Sequence, residues 1–85
     1  MNSYVGIDVS KDKLDVSLLR DGKYESSEVA NNRQGFNQVH HWLKKRQATG
    51  AGVCLEATGI YSDEVALFLH ERGYRVSVVN PARIA

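Results

Sequence analysis

The chain has 85 residues, of which 42% are hydrophobic and 25% are charged, and its formal net charge is +1. This length allows one small domain, and the composition is typical of a soluble globular protein. The small net charge excludes a strong non-specific attraction of the whole chain to nucleic acid, although a local basic patch stays compatible with it. No apolar run approaches the ~20 residues of a membrane span, and the N-terminus lacks the pattern of a signal peptide. We therefore expect a cytoplasmic protein without a membrane partner.

The cysteine content limits the chemistry of the chain. Its single cysteine, Cys54, excludes an internal disulfide and gives no pattern of a zinc site. A lone cysteine fits a reducing compartment. Because Cys54 lies in an apolar segment, we expect it to be a buried and inert thiol.

The first thirty residues predict three β-strands joined by short turns. Residues 3–9 are almost continuously apolar, which predicts a strand buried on both faces. Residues 13–20 alternate between apolar and polar types, which predicts a strand with one buried face. Asp21 and Gly22 are typical of a hairpin turn, and the more polar residues 24–30 are expected to form an edge strand.

After residue 30 the hydrophobic period changes to that of an amphipathic helix. Residues 31–47 are predicted to form this helix, with Asn31 or Asn32 as its cap. Residues 52–57 then predict a short buried strand. The residues expected on the inner face of the helix are Phe36, Val39 and Leu43.

The last third of the chain predicts a second helix over residues 60–72 and a final strand over residues 74–80. The predicted order of elements is therefore β-β-β-α-β-α-β. Helical crossovers make the first, fourth and fifth strands parallel neighbours, which is the arrangement of a ribonuclease-H-like α/β domain with a mixed sheet. The residues expected on the inner face of the second helix are Tyr61, Val65, Phe68 and Leu69.

Two acids stand at the ends of predicted parallel strands, Asp8 after the first and Glu56 after the fourth. Adjacent strands lie about 4.8 Å apart, and two carboxylates that close repel unless a proton or a divalent cation lies between them. Oxygen ligands suit Mg²⁺ or Mn²⁺, and a pair of such ions drives phosphodiester cleavage. The alternative is that each acid forms a turn or a helix cap, and the spacing alone leaves both interpretations open.

Four other residues are candidates for nucleic-acid contacts near these acids. Lys11 and Lys13 flank the turn after Asp8, where they are placed to meet a phosphate. Thr58 and Gly59 follow Glu56, and a helix start there is able to accept a phosphate. Lys11 and Lys13 have a structural alternative as solvated turn lysines, and Thr58 has one as a helix cap.

Three short motifs in this chain resemble those of a known family. They are GIDVSK at residues 6–11, EATG followed by Ile and Tyr at residues 56–61, and NPAR at residues 80–83. In this order, they resemble the N-terminal part of the DEDD transposases of insertion sequences, of the Piv/MooV invertase type. That family is related to the RuvC-like Holliday-junction resolvases, and the resemblance covers essentially the whole chain.

The resemblance implies that residues 1–85 are the N-terminal part of a ribonuclease-H-like catalytic domain that cuts and rejoins DNA. The family binds Mg²⁺ through four acids in the order Asp, Glu, Asp, Asp, of which Asp8 matches the first and Glu56 the second. The other two acids follow the NPAR motif, as does a domain with a serine used in recombination. We therefore expect a chain that ends before the final helix and is inactive alone. Some members also use a structured RNA.

Two alternatives come from other functional classes. An actin-like or sugar-kinase nucleotide-binding lobe also begins with a GID strand and a phosphate-binding turn, although Asp12 in that turn repels a phosphate. The other alternative is a non-catalytic module that dimerises through an uncovered face of the sheet. A homo-oligomer of this kind is also compatible with the recombinase interpretation.

Overall fold

The computed structural model describes residues 3–57 and 60–79, which form a five-stranded sheet and two helices. The order of the elements agrees with the sequence prediction, and the α/β class is confirmed. In chain order the elements are β1 (Ser3–Val9), β2 (Lys13–Arg20), β3 (Lys23–Ala30), α1 (Arg33–Lys45), β4 (Gly52–Ala57), α2 (Asp63–Glu71) and β5 (Arg75–Val79).

The strands lie in the order β3-β2-β1-β4-β5. The first three strands form an antiparallel meander, whereas β4 is parallel to both β1 and β5. Asp21 and Gly22 close the β2–β3 hairpin with φ angles of 53° and 74°, and two positive φ angles are the geometry that keeps such a hairpin twisted correctly. As predicted, β3 is an edge strand and the first, fourth and fifth strands are parallel neighbours.

The core lies on one side of the sheet, between the strands and the two helices. The register places Ile7 of β1 beside Val16 of β2 and Leu55 of β4, all of them buried. These side chains point to one face, where α1 and α2 cover them. The buried apolar residues of the strands are Val5, Ile7, Val9, Leu14, Val16, Leu18, Val53 and Leu55.

The other face of the sheet is exposed in the part of the chain that is described, and we call it the open face. The prediction that β1 is buried on both faces is wrong, because Tyr4 is 59% exposed and Asp8 is exposed too. The prediction of a buried Cys54 is also wrong: the thiol is exposed, in register with Gly6 and Ser77 on the open face. Alternation along each strand directs these side chains away from the helices.

Helix α1 packs closely against the end of β3. Asn32, and not Asn31, caps it, because the Gly35 N–H donates to the Asn32 side chain at 2.8 Å. A methyl group on Gly35 would overlap the carbonyl oxygen of Ala30, so glycine permits this close approach. The predicted inner residues of α1, namely Phe36, Val39 and Leu43, are buried.

Helix α2 is shorter than predicted. It begins at Asp63, so Tyr61 lies in the preceding turn with 43% of its surface exposed, and its predicted place in the core is wrong. None of the helices formed by residues 3–57 and 60–79 is long and apolar enough to cross a membrane. The predicted inner residues that the structure does bury are Val65, Phe68 and Leu69.

Candidate metal and nucleic-acid site

The fold brings Asp8 and Glu56 to neighbouring positions. Asp8 is the register partner of Glu56 in the parallel pairing of β1 and β4, so their Cα atoms lie about 4.8 Å apart. Both are on the open face, close to the carboxyl ends of their strands, and both are exposed. Because solvent reaches Asp8, its position in an apolar strand carries no burial cost. The mutual repulsion of two neighbouring carboxylates remains.

Two more acids extend this pair across the sheet. Asp15 of β2 is the antiparallel partner of Asp8, and Glu28 of β3 is the partner of Asp15. Glu28, Asp15, Asp8 and Glu56 therefore form one cross-strand line on the open face, which we call the acidic row. Like charges that lie directly opposite on neighbouring strands destabilise a sheet, so this row has a cost in stability.

Sequence reasoning missed the place of Asp15 in this arrangement. The alternation over residues 13–20 directs Asp15 to the same face as Lys13 and Ser17. A turn centred on Lys11 and Asp12 then places Asp15 opposite Asp8. The pattern therefore contained enough information to find the third acid, once the hairpin register was worked out.

A shallow depression of about 390 Å³ adjoins the acidic row on the open face. Asp8, Asp15 and Glu56 form its acidic side, and Cys54 contributes to its floor. On the far side the Ser17 and Tyr24 hydroxyl groups hydrogen-bond at 3.0 Å. The depression is thus a solvent-accessible site with carboxylates on one side and hydroxyl groups on the other.

The chemistry of the pair fits a hard divalent cation. Mg²⁺ is usually held by one or two carboxylates and keeps several waters, which matches what Asp8 and Glu56 offer. Over residues 3–57 and 60–79, no group of three or more His, Cys, Asp or Glu side chains is placed to hold a metal ion. In this part of the chain, the candidate ligands for one ion are therefore at most the two carboxylates of Asp8 and Glu56.

The predicted nucleic-acid residues differ in their surroundings. Lys11 is exposed in the β1–β2 turn, whereas the Lys13 ammonium forms an ion pair with Glu28 at 3.0 Å. The hydrogen bond and charge of Glu28 raise the pKa of Lys13, and the same contact with Lys13 lowers the pKa of the Glu28 carboxyl. Thr58 and Gly59 lie outside the described residues.

Asn31 links the turns that surround the candidate site. Its side-chain amide donates to the Ser10 carbonyl at 2.8 Å and to the Tyr61 carbonyl at 3.1 Å. Ser10 follows β1, and Tyr61 lies in the turn before α2. The sequence suggested only a capping role for Asn31, and its actual contacts depend on tertiary structure.

Comparisons with known proteins identify the family of this chain. A family model described as a transposase, of the DEDD type of the IS110 insertion sequences, matches residues 5–85. The pilin gene-inverting protein of Moraxella bovis is 29% identical over 84 residues, a match that covers 96% of this chain and 26% of that protein. The chain therefore spans about a quarter of the length of this curated relative.

Two solved structures share the fold. A Bacteroides thetaiotaomicron protein of unknown function with an actin-like ATPase fold superposes with a TM-score of 0.76 at 15% identity, over 95% of this chain and 34% of that one. Thermus thermophilus RuvC, solved with a Holliday junction substrate, superposes with a TM-score of 0.57 at 16% identity, over 96% and 66%.

Identities this low establish the fold alone, which RuvC shares with actin-like ATPases. The sequence match decides the family, because the transposase model extends over residues 5–85, almost the whole chain. The resemblance seen in the three motifs is confirmed. The chain belongs to the DEDD transposases of the IS110 type.

Proposed function

We propose that this chain is part of the catalytic domain of a DNA recombinase, in which Asp8 and Glu56 together hold Mg²⁺ or Mn²⁺. The observation that carries the proposal is the register pairing of these two acids on adjacent parallel strands. Open α/β sheets place their ligands at the carboxyl ends of the strands. Family membership supports the proposal, because Asp8 and Glu56 stand in the order of the first two acids of a DEDD set.

Some residues of the chain are proposed to bind the metal ion and others to contact DNA. The carboxylates of Asp8 and Glu56 would hold the cation near the carboxyl ends of β1 and β4, and the cation would supply Lewis-acid activation for phosphodiester cleavage. Lys11 is proposed to contact a DNA phosphate from the neighbouring turn. We assign the same role to Lys13, which must exchange its ion pair with Glu28 for a phosphate, and to Thr58 and Gly59.

The 85 residues alone are proposed to lack cleavage activity. Two carboxylates bring two negative charges to a pair of divalent ions that carries four positive charges, so the ions are held weakly. Divalent-dependent cleavage of DNA by the purified chain, abolished in Asp8→Asn, would contradict this part of the proposal. A structured RNA and further copies of the chain are the other partners that we propose, with the cytoplasm as the compartment.

Calorimetric titration with Mn²⁺ tests the metal site. We expect Asp8→Asn and Glu56→Gln each to weaken Mn²⁺ binding about tenfold or more, since even groups that only orient a ligand contribute that much. Asp21→Asn is the matched control, because Asp21 is an exposed acid in the β2–β3 turn, and it should bind Mn²⁺ as the wild type does. Equal affinities for all four proteins would contradict the proposal.

The actin-like neighbour favours one alternative, a nucleotide-binding lobe that holds phosphates in the β1–β2 turn. The amide NMR signals of Ser10, Lys11 and Asp12 report on this turn. Under the recombinase proposal, adding ATP at saturating Mg²⁺ leaves these signals where Mg²⁺ alone places them. Saturable ATP-induced shifts in the turn would favour the nucleotide-binding lobe.

A further inference from the structure

The distribution of charge along the chain is uneven. No aspartate or glutamate occurs between Glu28 and Glu56. The same stretch contains four of the eleven lysine and arginine residues of the chain, namely Arg33, Lys44, Lys45 and Arg46. Although the net charge of the chain is only +1, residues 29–55 form a basic segment. Helix α1 lies within this segment.

Helix α1 presents this charge on its outer side. Phe36, Val39 and Leu43 face the core, and at 100° per residue the opposite side of the helix carries amide and basic side chains. We call this side the outer α1 face. It consists of six exposed residues: Gln34, Asn37, Gln38, His41, Lys44 and Lys45.

Helix stability does not account for this composition. Lysines in the last turn of a helix are favoured by its dipole, but the same dipole favours acids in the first turn. Helix α1 has no acid in its first turn and begins with Arg33. By contrast, α2 begins with Asp63 and Glu64. The absence of carboxylates from α1 is thus a property of its surface that the helix itself does not require.

Internal ion pairs do not account for the basic composition of α1 either. Arg46 is engaged, since it pairs with Glu25 at 3.1 Å and its guanidinium lies 4.2 Å from the centre of the Trp42 ring. Among the described residues Lys44 and Lys45 form no ion pair. Their ammonium groups stay available to an external anion.

The positive charge continues beyond α1. Burial lowers the pKa of His40, and the charges of Arg72, Lys44 and His41 lower it further. Arg72 follows α2, where its guanidinium lies 3.6 Å from the centre of the Phe68 ring. Cations from the ends of both helices therefore act on one area of the surface.

We propose that the outer α1 face binds the sugar–phosphate backbone of duplex DNA. Lys44 and Lys45 would neutralise phosphates, and Gln34, Asn37 and Gln38 offer amide donors along a helix about 20 Å long. Phosphate oxygens accept such donors in most protein–DNA interfaces. The choice of DNA rests on the proposed function.

This DNA contact is separate from the metal pair. Helix α1 covers the core side of the sheet, whereas Asp8 and Glu56 lie on the open face. A duplex on α1 is therefore a different stretch of DNA from the one at the acids, and it binds without a metal ion. Carboxylates of the acidic row repel phosphates when no cation is bound, which adds to the need for a second contact.

The test is fluorescence anisotropy of a labelled DNA duplex of about 20 base pairs, titrated with the chain in EDTA at several salt concentrations. In the double variant Lys44→Gln/Lys45→Gln, we expect affinity to fall roughly tenfold at low salt. The negative slope of log K against log salt should become less steep by about 1.8, because two phosphate contacts are lost and each contributes about 0.9. The matched control, Lys23→Gln/Arg75→Gln, removes two exposed cations from other surfaces and should keep the wild-type slope.

Equal losses in both double variants, or no loss in either, would overturn the inference. An RNA duplex of the same length that binds while the DNA does not would also overturn the choice of DNA. Failure of the Mn²⁺ test would contradict the proposed metal site, whereas failure of the anisotropy test in EDTA would contradict the DNA contact of α1, so the two failures are distinguishable.

Discussion

His40 and Tyr74 show how single residues connect α1 to the start of β5. The His40 Nδ1 atom and the Tyr74 hydroxyl are hydrogen-bonded at 3.0 Å, and the two rings meet edge to face at 5.8 Å. Burial lowers the pKa of His40 and raises that of Tyr74. The folded chain therefore favours the neutral form of both groups.

Stability should fall as the pH is lowered past the ordinary pKa of His40. Because folding lowers this pKa from 6.5, the unfolded chain binds more protons just below that pH, and the free energy of unfolding decreases. The loss of stability stops growing once the pH is below the pKa of His40 in the folded chain. Urea unfolding between about pH 7.5 and pH 5 measures it.

His40→Gln should flatten this pH dependence. The matched control is His70→Gln, which removes an exposed histidine of α2 whose charge is not among those that lower the pKa of His40, and it should keep the wild-type profile. An unchanged profile in His40→Gln would show that the acid sensitivity comes from other groups.

At the scale of elements, the contact between α1 and β3 depends on one glycine. Gly35 lies against the carbonyl of Ala30, without room for a methyl group. The Asn32 cap and the buried residues of α1 fix the helix in this position. A side chain at residue 35 must therefore displace the first turn of α1.

Gly35→Ala should destabilise the fold by about 1–3 kcal/mol, the usual cost of overpacking, despite the better helix propensity of alanine. Gly6→Ala is the matched control, because a methyl group there meets nothing within 4 Å. Urea midpoints measure both changes. Equal effects of the two substitutions would show that α1 yields to the methyl group without strain.

The order of the elements was largely predictable from the sequence, but the exposure of the residues in and beside them was not. Periodicity and turn residues such as Gly22 were enough for the order of elements and for the neighbouring positions of Asp8 and Glu56. The burial of β1 and Cys54 was mispredicted, because an apolar strand does not reveal whether one or both faces of its sheet are covered. Tyr61 was misplaced because its aromatic ring fits the helical period, although the helix starts later.

At the scale of the whole molecule, an acidic and a basic surface lie on opposite sides of the sheet. The acidic row lies on the open face of the sheet, and the basic outer α1 face lies on the other side. This separation suits a protein that binds a cation on one side and a polyanion on the other. The weak net charge of +1 gave no indication of it, since it sums the two sides.

An apolar patch lies on the open face beside the start of β1. Tyr4, Leu19 and Tyr24 are register neighbours on β1, β2 and β3 and are between 49% and 67% exposed. Contiguous exposed apolar groups favour association. The homo-oligomer expected from the sequence stays a prediction, and this patch is where a second copy would pack.

Sedimentation velocity over a range of concentrations checks this prediction. We expect the average mass of the wild type to rise with concentration, and Leu19→Ser to suppress the rise. Leu67→Ser is the matched control, because Leu67 is 58% exposed on α2, away from the patch. A monomer at every concentration, or equal effects of both variants, would contradict the prediction.

The register pairing of Asp8 with Glu56 is the basis for proposing that they form one metal site. The most direct measurement is a Mn²⁺ titration of the isotope-labelled chain, in which paramagnetic broadening of each amide signal locates the ion. We predict broadening centred on Asp8 and Glu56 in the wild type, and its loss in Asp8→Asn. Broadening centred elsewhere, or unchanged in Asp8→Asn, would contradict the claim.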